Sequence, residues 1–262
     1  MTPSVTHLVL IPSYNPGAKG VETVRAARQF WAPVWVVVDG STDGSKEQFL
    51  SMAASDRGLR VIVRSSNGGK GAALLEGLIA ATEAGFTHAL TMDSDGQHPA
   101  PRIPEFMQAS MQAPEAMILG EPVFDETAPR ERIRGRKIAN LATHIETMSG
   151  EIRDSLFGFR VYPIEPLVAV MRQTSWMRRF DFDAEAVVRL NWRGVPAINI
   201  PVPVRYYGRH EGGVSHFNYW RDNVLLTSMY LRLASGWLIR IPMLLARRLR
   251  RRLVGTPRSL HT

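Results

Sequence analysis

The chain has 262 residues, of which 45% are hydrophobic and 21% are charged, and these values are typical of a globular protein with one large domain or two small ones. It contains no cysteine, which excludes disulfides and thiolate metal sites. The net charge of +8 is concentrated near the C-terminus, since residues 205–262 hold 11 of the 32 basic residues but only 2 of the 24 acidic ones. This distribution favours contact with an anionic surface over a domain that coats nucleic acid.

Short apolar runs alternate with helical patterns over the first 120 residues. The runs that predict strands are residues 8–11, 34–38, 60–63 and 88–92. Helices are predicted over residues 21–30, from the turn at 39–45 to about 54, and over 72–84. The alternation predicts an α/β fold with a mostly parallel central sheet flanked by helices. The first 13 residues lack a basic leader region, so we do not expect a signal peptide.

Two carboxylates, Asp93 and Asp95, follow the fourth predicted strand and are separated by one residue. Residues at this spacing face the same side of a strand, so the two side chains can converge. A hard divalent cation such as Mg²⁺ or Mn²⁺ would relieve their repulsion. A solvated turn is the alternative, because Asp and Gly are ordinary turn residues.

Polar, glycine-rich stretches at 12–17, 39–45 and 93–98 all follow predicted strands. In a parallel sheet they would lie side by side at the edge where ligands bind. The sequence Asn67-Gly-Gly-Lys-Gly either cradles phosphate at a helix N-terminus or is a plain helix start. It does not have the spacing of a P-loop.

After residue 120 the pattern changes, and residues 121–129 are predicted to be a loop. A basic run then opens a helix whose apolar residues include Ile138, Leu141 and Ile145. The run either grips phosphate oxygens or is a solvated helix start. A short strand from 160, a helix over 181–192 and a proline-containing edge strand over 195–204 are predicted next, followed by a polar loop over 206–217.

Residues 219–253 predict one long helix, and its apolar part, residues 224–246, is interrupted by Arg232 and Arg240. A membrane-spanning helix would bury both guanidinium groups at about 2.5–3.5 kcal/mol each. An interfacial helix avoids that cost, and a basic end suits anionic lipid. The pattern therefore favours an interfacial helix over a core helix or a spanning one.

Four motifs occur in order along the N-terminal part of the chain. They are Leu10-Ile-Pro-Ser-Tyr-Asn, Val37-Val-Asp-Gly-Ser-Thr-Asp-Gly, Asn67-Gly-Gly-Lys-Gly and Met92-Asp-Ser-Asp-Gly-Gln-His-Pro. In this set, over about residues 6–220, the chain resembles the family 2 glycosyltransferases of GT-A fold. The Gly-Phe-Arg160 and Gly-Gly-Val-Ser215 sequences look most like the polyprenyl-phosphate branch, such as dolichol-phosphate mannose synthase.

The resemblance implies a role for each matching residue. Contacts to the nucleotide or its phosphates are implied for Pro12, Tyr14, Asn15, Asp39, Lys70, Asp93, Arg130, Arg134, Arg209 and Ser215, and a contact to the sugar or acceptor is implied for Arg160. Metal ligands for Mg²⁺ or Mn²⁺ are implied at Asp93, Asp95 and Gln97. Asp154, Asp183 and Glu185 are implied to face the sugar or acceptor, with Asp183 or Glu185 as the base if one is needed. Two positions depart from the family pattern, namely Val38, where an acid is common, and His216, where a lysine is usual.

The expected function is metal-dependent, inverting transfer of a sugar from a nucleotide-diphosphate sugar to a polyprenyl phosphate or other lipid. Residues 1–218 would form the transferase domain and residues 219–262 a membrane-associated basic helix, peripheral on the cytoplasmic face at an anionic membrane surface. No nucleic-acid partner is expected. The alternatives are a nucleotidyltransferase of related fold and a non-catalytic lipid-surface scaffold. The sugar, the base, the acceptor and the oligomeric state stay open.

Overall fold

A computed structural model describes residues 2–124, 130–204 and 219–254, and the side chains in these ranges except 130–132, 219–221 and 251–254. The strands are β1 (His7–Ser13), β2 (Val34–Asp39), β3 (Leu59–Arg64), β4 (His88–Thr91), β5 (Met117–Phe124), β6 (Arg160–Pro163) and β7 (Ala197–Val204). The α-helices are α1 (Gly17–Phe30), α2 (Ser45–Ser55), α3 (Lys70–Glu83), α4 (Ile103–Gln112), α5 (Arg130–Thr147), α6 (Ile164–Arg172), α7 (Phe182–Trp192) and α8 (Tyr219–Val254), and a 3-10 turn spans Ala100–Arg102.

The strands form one sheet in the order β3-β2-β1-β4-β6-β5-β7. The strand β6 is antiparallel to both β4 and β5, and the other pairs are parallel. The predicted mostly parallel α/β fold is therefore confirmed. Because β2, β1 and β4 are neighbours, the polar segments that follow them meet at one edge, as the sequence predicts.

Helices cover both faces of the sheet, which explains why the central strands are continuous apolar runs. On β2, Val36 belongs to the core under α1 and α4, with Val24 and Phe106. The next residue, Val37, belongs to the opposite core under α3, with Leu74. This alternation places one apolar side chain on each face at every step along the strand.

The structure corrects one prediction and extends several others. The predicted loop at 121–129 is wrong at its start, because β5 continues to Phe124 and pairs with β7 as far as Val204. That pairing supplies the backbone partners that the sequence pattern does not reveal. The helix α3 begins at Lys70 rather than 72, and β7 is an edge strand as predicted.

The helix α8 packs along α5 and α7 through a separate apolar cluster that includes Val188, Trp192, Met229 and Leu233. Over Asp222–Arg250 it is long and apolar enough to cross a membrane by length and composition, with a mean hydropathy of 1.2 and 11% of its most apolar window buried. The core helix of a soluble protein can be equally long and apolar, but it is mostly buried. Because α8 is mostly exposed, burial in the domain does not account for its apolar outer face.

Candidate active site

The loops after β1 and β2 are tied together at the carboxyl edge of the sheet. The Asn15 N–H donates to Ser41 Oγ at 3.0 Å, and Asn15 Oδ1 accepts from the Thr42 N–H at 2.7 Å. Asn15 has a φ of 42°, a left-handed conformation that Asn tolerates better than most residues. Tyr14 is exposed beside it, and Pro12 is buried in β1. These residues form one rim of the carboxyl edge of the sheet.

Asp39, at the end of β2, shapes the Asn-Gly-Gly loop that leads into α3. Its carboxylate accepts the N–H groups of Gly68 at 3.0 Å and Gly69 at 2.7 Å. The Arg64 guanidinium lies 2.8 Å from the same carboxylate, and Asp39 itself is 2% exposed. The resemblance implies a nucleotide contact for Asp39, whereas its oxygens here contact the loop. Arg64, which the motifs did not mark, completes this arrangement.

Lys70 joins two acidic segments that are far apart in the sequence. Its Nζ lies 2.7 Å from Asp93 Oδ1 and within 2.8 and 3.0 Å of the two Asp183 oxygens. Burial alone would lower the pKa of Lys70, but the charges of Asp183 and Asp93 outweigh it and raise the pKa. Burial likewise opposes ionisation of Asp93, and the Lys70 charge overcomes it and lowers the Asp93 pKa. The three groups therefore form a charged cluster at the end of β4.

Asp95 lies beside this cluster and accepts the Gln97 N–H at 3.0 Å. Burial and then the neighbouring charge of Asp93 raise the pKa of Asp95 to about 6. His98 accepts the Asp93 N–H at its Nδ1 at 2.9 Å, and burial outweighs the opposing charge of Asp93 to lower the His98 pKa to about 4. His98 is therefore neutral near pH 7 and holds the turn that carries both carboxylates.

The donor set fits a divalent cation that shares its coordination with a ligand. No side chain of the described residues forms a salt bridge with Asp95, although its carboxylate is close enough to Asp93 to be discouraged from ionising. The described ranges contain no group of three or more His, Cys, Asp or Glu side chains arranged for a metal ion. Mg²⁺ commonly binds through one or two carboxylates plus substrate phosphates, and the pair Asp93 and Asp95 matches that pattern. The contact of Gln97 with this pair is made by its backbone N–H, which donates to Asp95.

Gly158 lies directly behind the Lys70–Asp93 pair. A Cβ at this position would lie 2.7 Å from Lys70 Nζ and 2.9 Å from Asp93 Oδ2. The Gly158 carbonyl also accepts the Thr91 hydroxyl at 2.8 Å, which ties the segment to the end of β4. Sequence reasoning did not select Gly158 as a site residue, although it belongs to the Gly-Phe-Arg160 motif that carries part of the resemblance.

Glu185 does not join the cluster that contains Asp183. The two residues lie two positions apart on α7, which rotates their side chains by about 200° around a helix. The Glu185 carboxylate is fully buried on the other side, 2.6 Å from Arg189 Nη2 and 3.0 Å from Arg232 Nη2. The rotation of the helix thus separates Asp183 from Glu185, although by sequence both are candidates for the base.

Asp154 and Arg160 are also buried among internal partners. Asp154 pairs with Arg136 at 2.5 Å and accepts the Phe157 N–H at 2.7 Å, so it caps the turn before β6. Arg160 donates to the Tyr162 hydroxyl at 2.8 Å and to the Asp183 carbonyl at 2.6 Å. Both residues hold the backbone that carries Gly158 and Asp183.

The remaining predicted phosphate contacts divide into two groups. Arg134 is exposed on the first turns of α5. The Arg130 side chain and the residues Arg209 and Ser215 lie outside the described part of the chain.

Comparisons with known proteins agree in the type of relative they find. The family described as Glycosyl transferase family 2 matches residues 8–183. An undecaprenyl-phosphate mannosyltransferase from Micrococcus luteus is 24% identical over 209 residues, which cover 74% of this chain and 82% of the relative. A polyprenol monophosphomannose synthase from Mycolicibacterium smegmatis is 27% identical over 220 residues, which cover 81% of each chain.

Solved structures share the fold at low sequence identity. Glucosyl-3-phosphoglycerate synthase from Mycobacterium tuberculosis, in complex with Mn²⁺, UDP and glucosyl-3-phosphoglycerate, aligns with a TM-score of 0.61 at 16% identity. The alignment covers 90% of this chain and 80% of that one. Another structure of the same enzyme aligns with a TM-score of 0.62, also at 16% identity, and the likeness supports the GT-A fold.

Proposed function

The chain belongs to glycosyl transferase family 2, and we propose that it transfers a sugar from a nucleotide-diphosphate donor to a lipid phosphate held in a membrane. The chain is a glycosyltransferase by family. The acceptor class follows from its relatives, which are named for undecaprenyl phosphate and polyprenol phosphate. One observation carries the proposal, namely the Lys70–Asp93–Asp183 cluster with Asp95 beside it at the carboxyl edge of the sheet.

Breaking the bond between a sugar and a diphosphate builds negative charge on the departing nucleotide. Lys70 is charged in its carboxylate cluster and supplies one positive group close to this edge. A divalent cation, Mg²⁺ or Mn²⁺, held by Asp93 and Asp95 with Gln97 as a further ligand, would neutralise part of the developing charge. The nucleotide would contact the rim at Tyr14, whose side chain is exposed, while Asn15 holds that rim through its bonds to Ser41 and Thr42.

The acceptor decides whether a base is required. A lipid phosphate is already an anion, so its oxygen can attack the anomeric carbon without losing a proton while the bond to the diphosphate breaks. Asp183 then serves to hold Lys70, since both of its oxygens lie within 3.0 Å of the ammonium group. Attack opposite the leaving group inverts the anomeric centre. With a hydroxyl acceptor Asp183 would be the base, because Asp154 and Glu185 are engaged elsewhere.

The acceptor also sets where the protein works. A lipid phosphate is presented at a bilayer surface, and the C-terminal segment combines an apolar helix with a cluster of arginines. We propose that the enzyme works peripherally on the cytoplasmic face, with residues 1–218 as the transferase and residues 219–262 as the membrane-associated part, and the apolar helix and its arginines support the membrane association.

The proposal is tested with the purified full chain, vesicles that contain a polyprenyl phosphate, and radiolabelled UDP- and GDP-hexoses with Mg²⁺ or Mn²⁺. Asp95→Asn should lower the transfer rate by about 100-fold or more, because it removes a ligand charge from the site that stabilises the leaving group. Glu115→Gln, an exposed residue at the opposite edge of the sheet, should leave the rate unchanged. Mn²⁺ binding followed by electron paramagnetic resonance gives a second readout, which Asp95→Asn should weaken.

Other outcomes would contradict the proposal in distinct ways. Full activity of Asp95→Asn would remove the metal role. Release of pyrophosphate from a nucleoside triphosphate and a sugar phosphate would identify a nucleotidyltransferase. Absence of any nucleotide-sugar binding by calorimetry would favour a non-catalytic scaffold. The anomeric configuration of the product, read by nuclear magnetic resonance, tests inversion separately.

A further inference from the structure

The helix α8 carries an exposed apolar stripe along its outer face. Val224, Leu231, Leu238 and Leu245 recur every seven residues, which is nearly two helical turns, so they lie along one side. Their exposed fractions range from 43% to 67%. Ile239 and Leu249 extend the exposed apolar area, again as side chains without cover from the described domain.

Both arginines that interrupt this apolar segment face inward. Arg232 Nη2 lies 3.0 Å from Glu185 Oε2, and its guanidinium stacks 4.6 Å from the centre of the Trp176 ring. Arg240 stacks 4.7 Å from the Trp192 ring and donates to the carbonyl of its own helix at Gly236. These are the only charged residues between 223 and 246, so the outer face of α8 over this length carries no charge.

The neighbouring helix α5 has a second stripe of the same kind. Ile138, Leu141 and Ile145 are spaced for one helix face and are 71%, 60% and 49% exposed. The exposed charged side chains described on this helix are basic, at Arg134 and Lys137. Because α5 packs against α8, the two stripes lie on neighbouring helices.

A cavity of about 650 Å³ between the C-terminal halves of α5 and α8 joins the two surfaces. Ile145 of the α5 stripe lines it together with Trp237 and Arg248 of α8. The Trp237 indole N–H is buried and has no hydrogen-bond partner among the described residues, whereas Arg247 donates to the Trp192 carbonyl at 2.7 Å. The apolar part of the lining, together with the Trp237 N–H and the exposed Arg248, suits a ligand that has a hydrocarbon part and an anionic oxygen. The polar residues Glu151 and Asn191 of the same lining are hydrogen-bonded to each other.

We propose that the outer faces of α5 and α8 form one docking surface for a bilayer of anionic phospholipid, and that α8 lies in the membrane plane while it stays docked on α7. Apolar side chains next to a cluster of arginines complement acyl chains next to phosphate headgroups. The inference deepens the proposed function, on which it rests for the presence of a membrane. It adds α5 as a second helix that contacts lipid. It also assigns Arg232 and Arg240 to the side of α8 that faces the protein and not the lipid.

The inward arginines are the reason that α8 stays docked. To span the membrane, α8 would have to leave α7 and withdraw Arg232 from the buried carboxylates of Glu185 and Asp181. It would also carry Arg232 and Arg240 into the hydrocarbon, at about 2.5–3.5 kcal/mol each. An in-plane helix keeps these contacts and still exposes its apolar stripe to lipid.

Binding of the full chain to vesicles of phosphatidylglycerol and phosphatidylcholine, without donor or acceptor, tests the surface independently of transfer. Leu141→Glu on α5 and Leu238→Glu on α8 should each weaken vesicle binding by at least about tenfold, the equivalent of 1.4 kcal/mol. Leu50→Glu, which replaces an exposed leucine on α2, should bind like the unmodified chain. Unchanged binding of Leu141→Glu would overturn the role of α5. No vesicle binding by the unmodified chain, or self-association that Leu141→Glu abolishes, would overturn the surface altogether.

The absence of cysteine allows a depth measurement that separates a docked helix from a spanning one. Single cysteines at Leu231, Leu238 and Leu245 carry an environment-sensitive fluorophore, and quenchers placed at known depths in the lipid report its position. A docked α8 predicts similar shallow depths at all three positions. A buried control at Leu233 should stay inaccessible to lipid quenchers. A depth maximum at Leu238, with Leu233 also quenched, would show a spanning helix and refute the docked arrangement.

Discussion

Glu146 lies at the junction of α5, α7 and α8 and should make the stability of the protein depend on pH. Its Oε2 is buried, and no group in the described part of the chain forms a hydrogen bond with it. Burial, and then the charge of Glu185, raise the pKa of Glu146 from 4.5 to about 7. The other charged or titratable groups at this junction are Arg189 and Arg232, which pair with Glu185, and Tyr230, whose pKa burial and Glu146 raise to about 12.

The sign of the effect follows from proton uptake. Between pH 4.5 and pH 7 the folded protein binds a proton at Glu146 that the unfolded chain has lost, so this contribution to stability is complete below pH 4.5 and is lost as the pH rises through 7. The substitution Glu146→Gln removes the charge at every pH. At roughly 1.36 kcal/mol per pKa unit the shift has a ceiling of about 3 kcal/mol, and residual solvation reduces the expected effect to about 1–2 kcal/mol.

The assay is urea unfolding of the full chain in detergent at pH 5, 6, 7 and 8. The free energy of unfolding of Glu146→Gln, relative to the unmodified chain, should rise by about 1–2 kcal/mol between pH 5 and pH 7 and then level off. The pH dependence is the test, because an amide without a partner adds a constant cost of its own. Glu115→Gln, at an exposed position, should show no such rise. A relative stability that is the same at pH 5 and pH 8 would refute a protonated Glu146.

Two further predictions concern stability at a single pH. Arg232→Met should lower the free energy of unfolding by about 3 kcal/mol, because it leaves Glu185 buried with one cationic partner fewer. The control Arg248→Met, at an exposed position, should change it by less than about 0.5 kcal/mol. Equal effects of the two substitutions in urea unfolding would argue against the inward contact of Arg232. Gly71→Ala should destabilise the protein by about 1–3 kcal/mol, because its Cβ would overlap the Met177 carbonyl in the turn before α7. The control Gly135→Ala, whose Cβ would meet no described atom within 4 Å on α5, should stabilise the protein by up to about 1 kcal/mol. Equal melting temperatures of the two variants would contradict the close packing of α3 on that turn.

The sheet and the edge at which its polar segments meet could be predicted because they depend on local patterns. Strands that are buried on both faces appear as continuous apolar runs, and the residues that end them are turn formers. Helix α7 was likewise located from its acidic first turn. The continuation of β5 from Glu121 to Phe124 could not be predicted. This part of the strand is held by pairing with β7, which lies more than 70 residues further along the chain.

The contacts of the charged groups could be predicted only in part. Lys70 and Asp183 are 113 positions apart, so no spacing rule connects them. In contrast, Asp183 and Glu185 could have been assigned to opposite faces once α7 was recognised, because two residues rotate a helix by about 200°. The direction of Arg232 and Arg240 could not be inferred, since apolar residues surround α8 on both of its faces and only the packing on α7 distinguishes them.

That packing also connects the candidate active site with the proposed membrane surface. Contacts from Arg232 to Glu185 and from Arg247 to the Trp192 carbonyl advance together along the two helices, so α8 runs parallel to α7. The first turn of α7 carries Asp183 toward Lys70 on one side and Glu185 toward Arg232 on the other. The helix α7 therefore contacts both the charged cluster and the helix that carries the lipid-facing stripe. A lipid phosphate would then have to reach the cluster near Arg232 in the middle part of α8, where α8 meets that first turn, while the arginines at the C-terminal end of α8 contact headgroups.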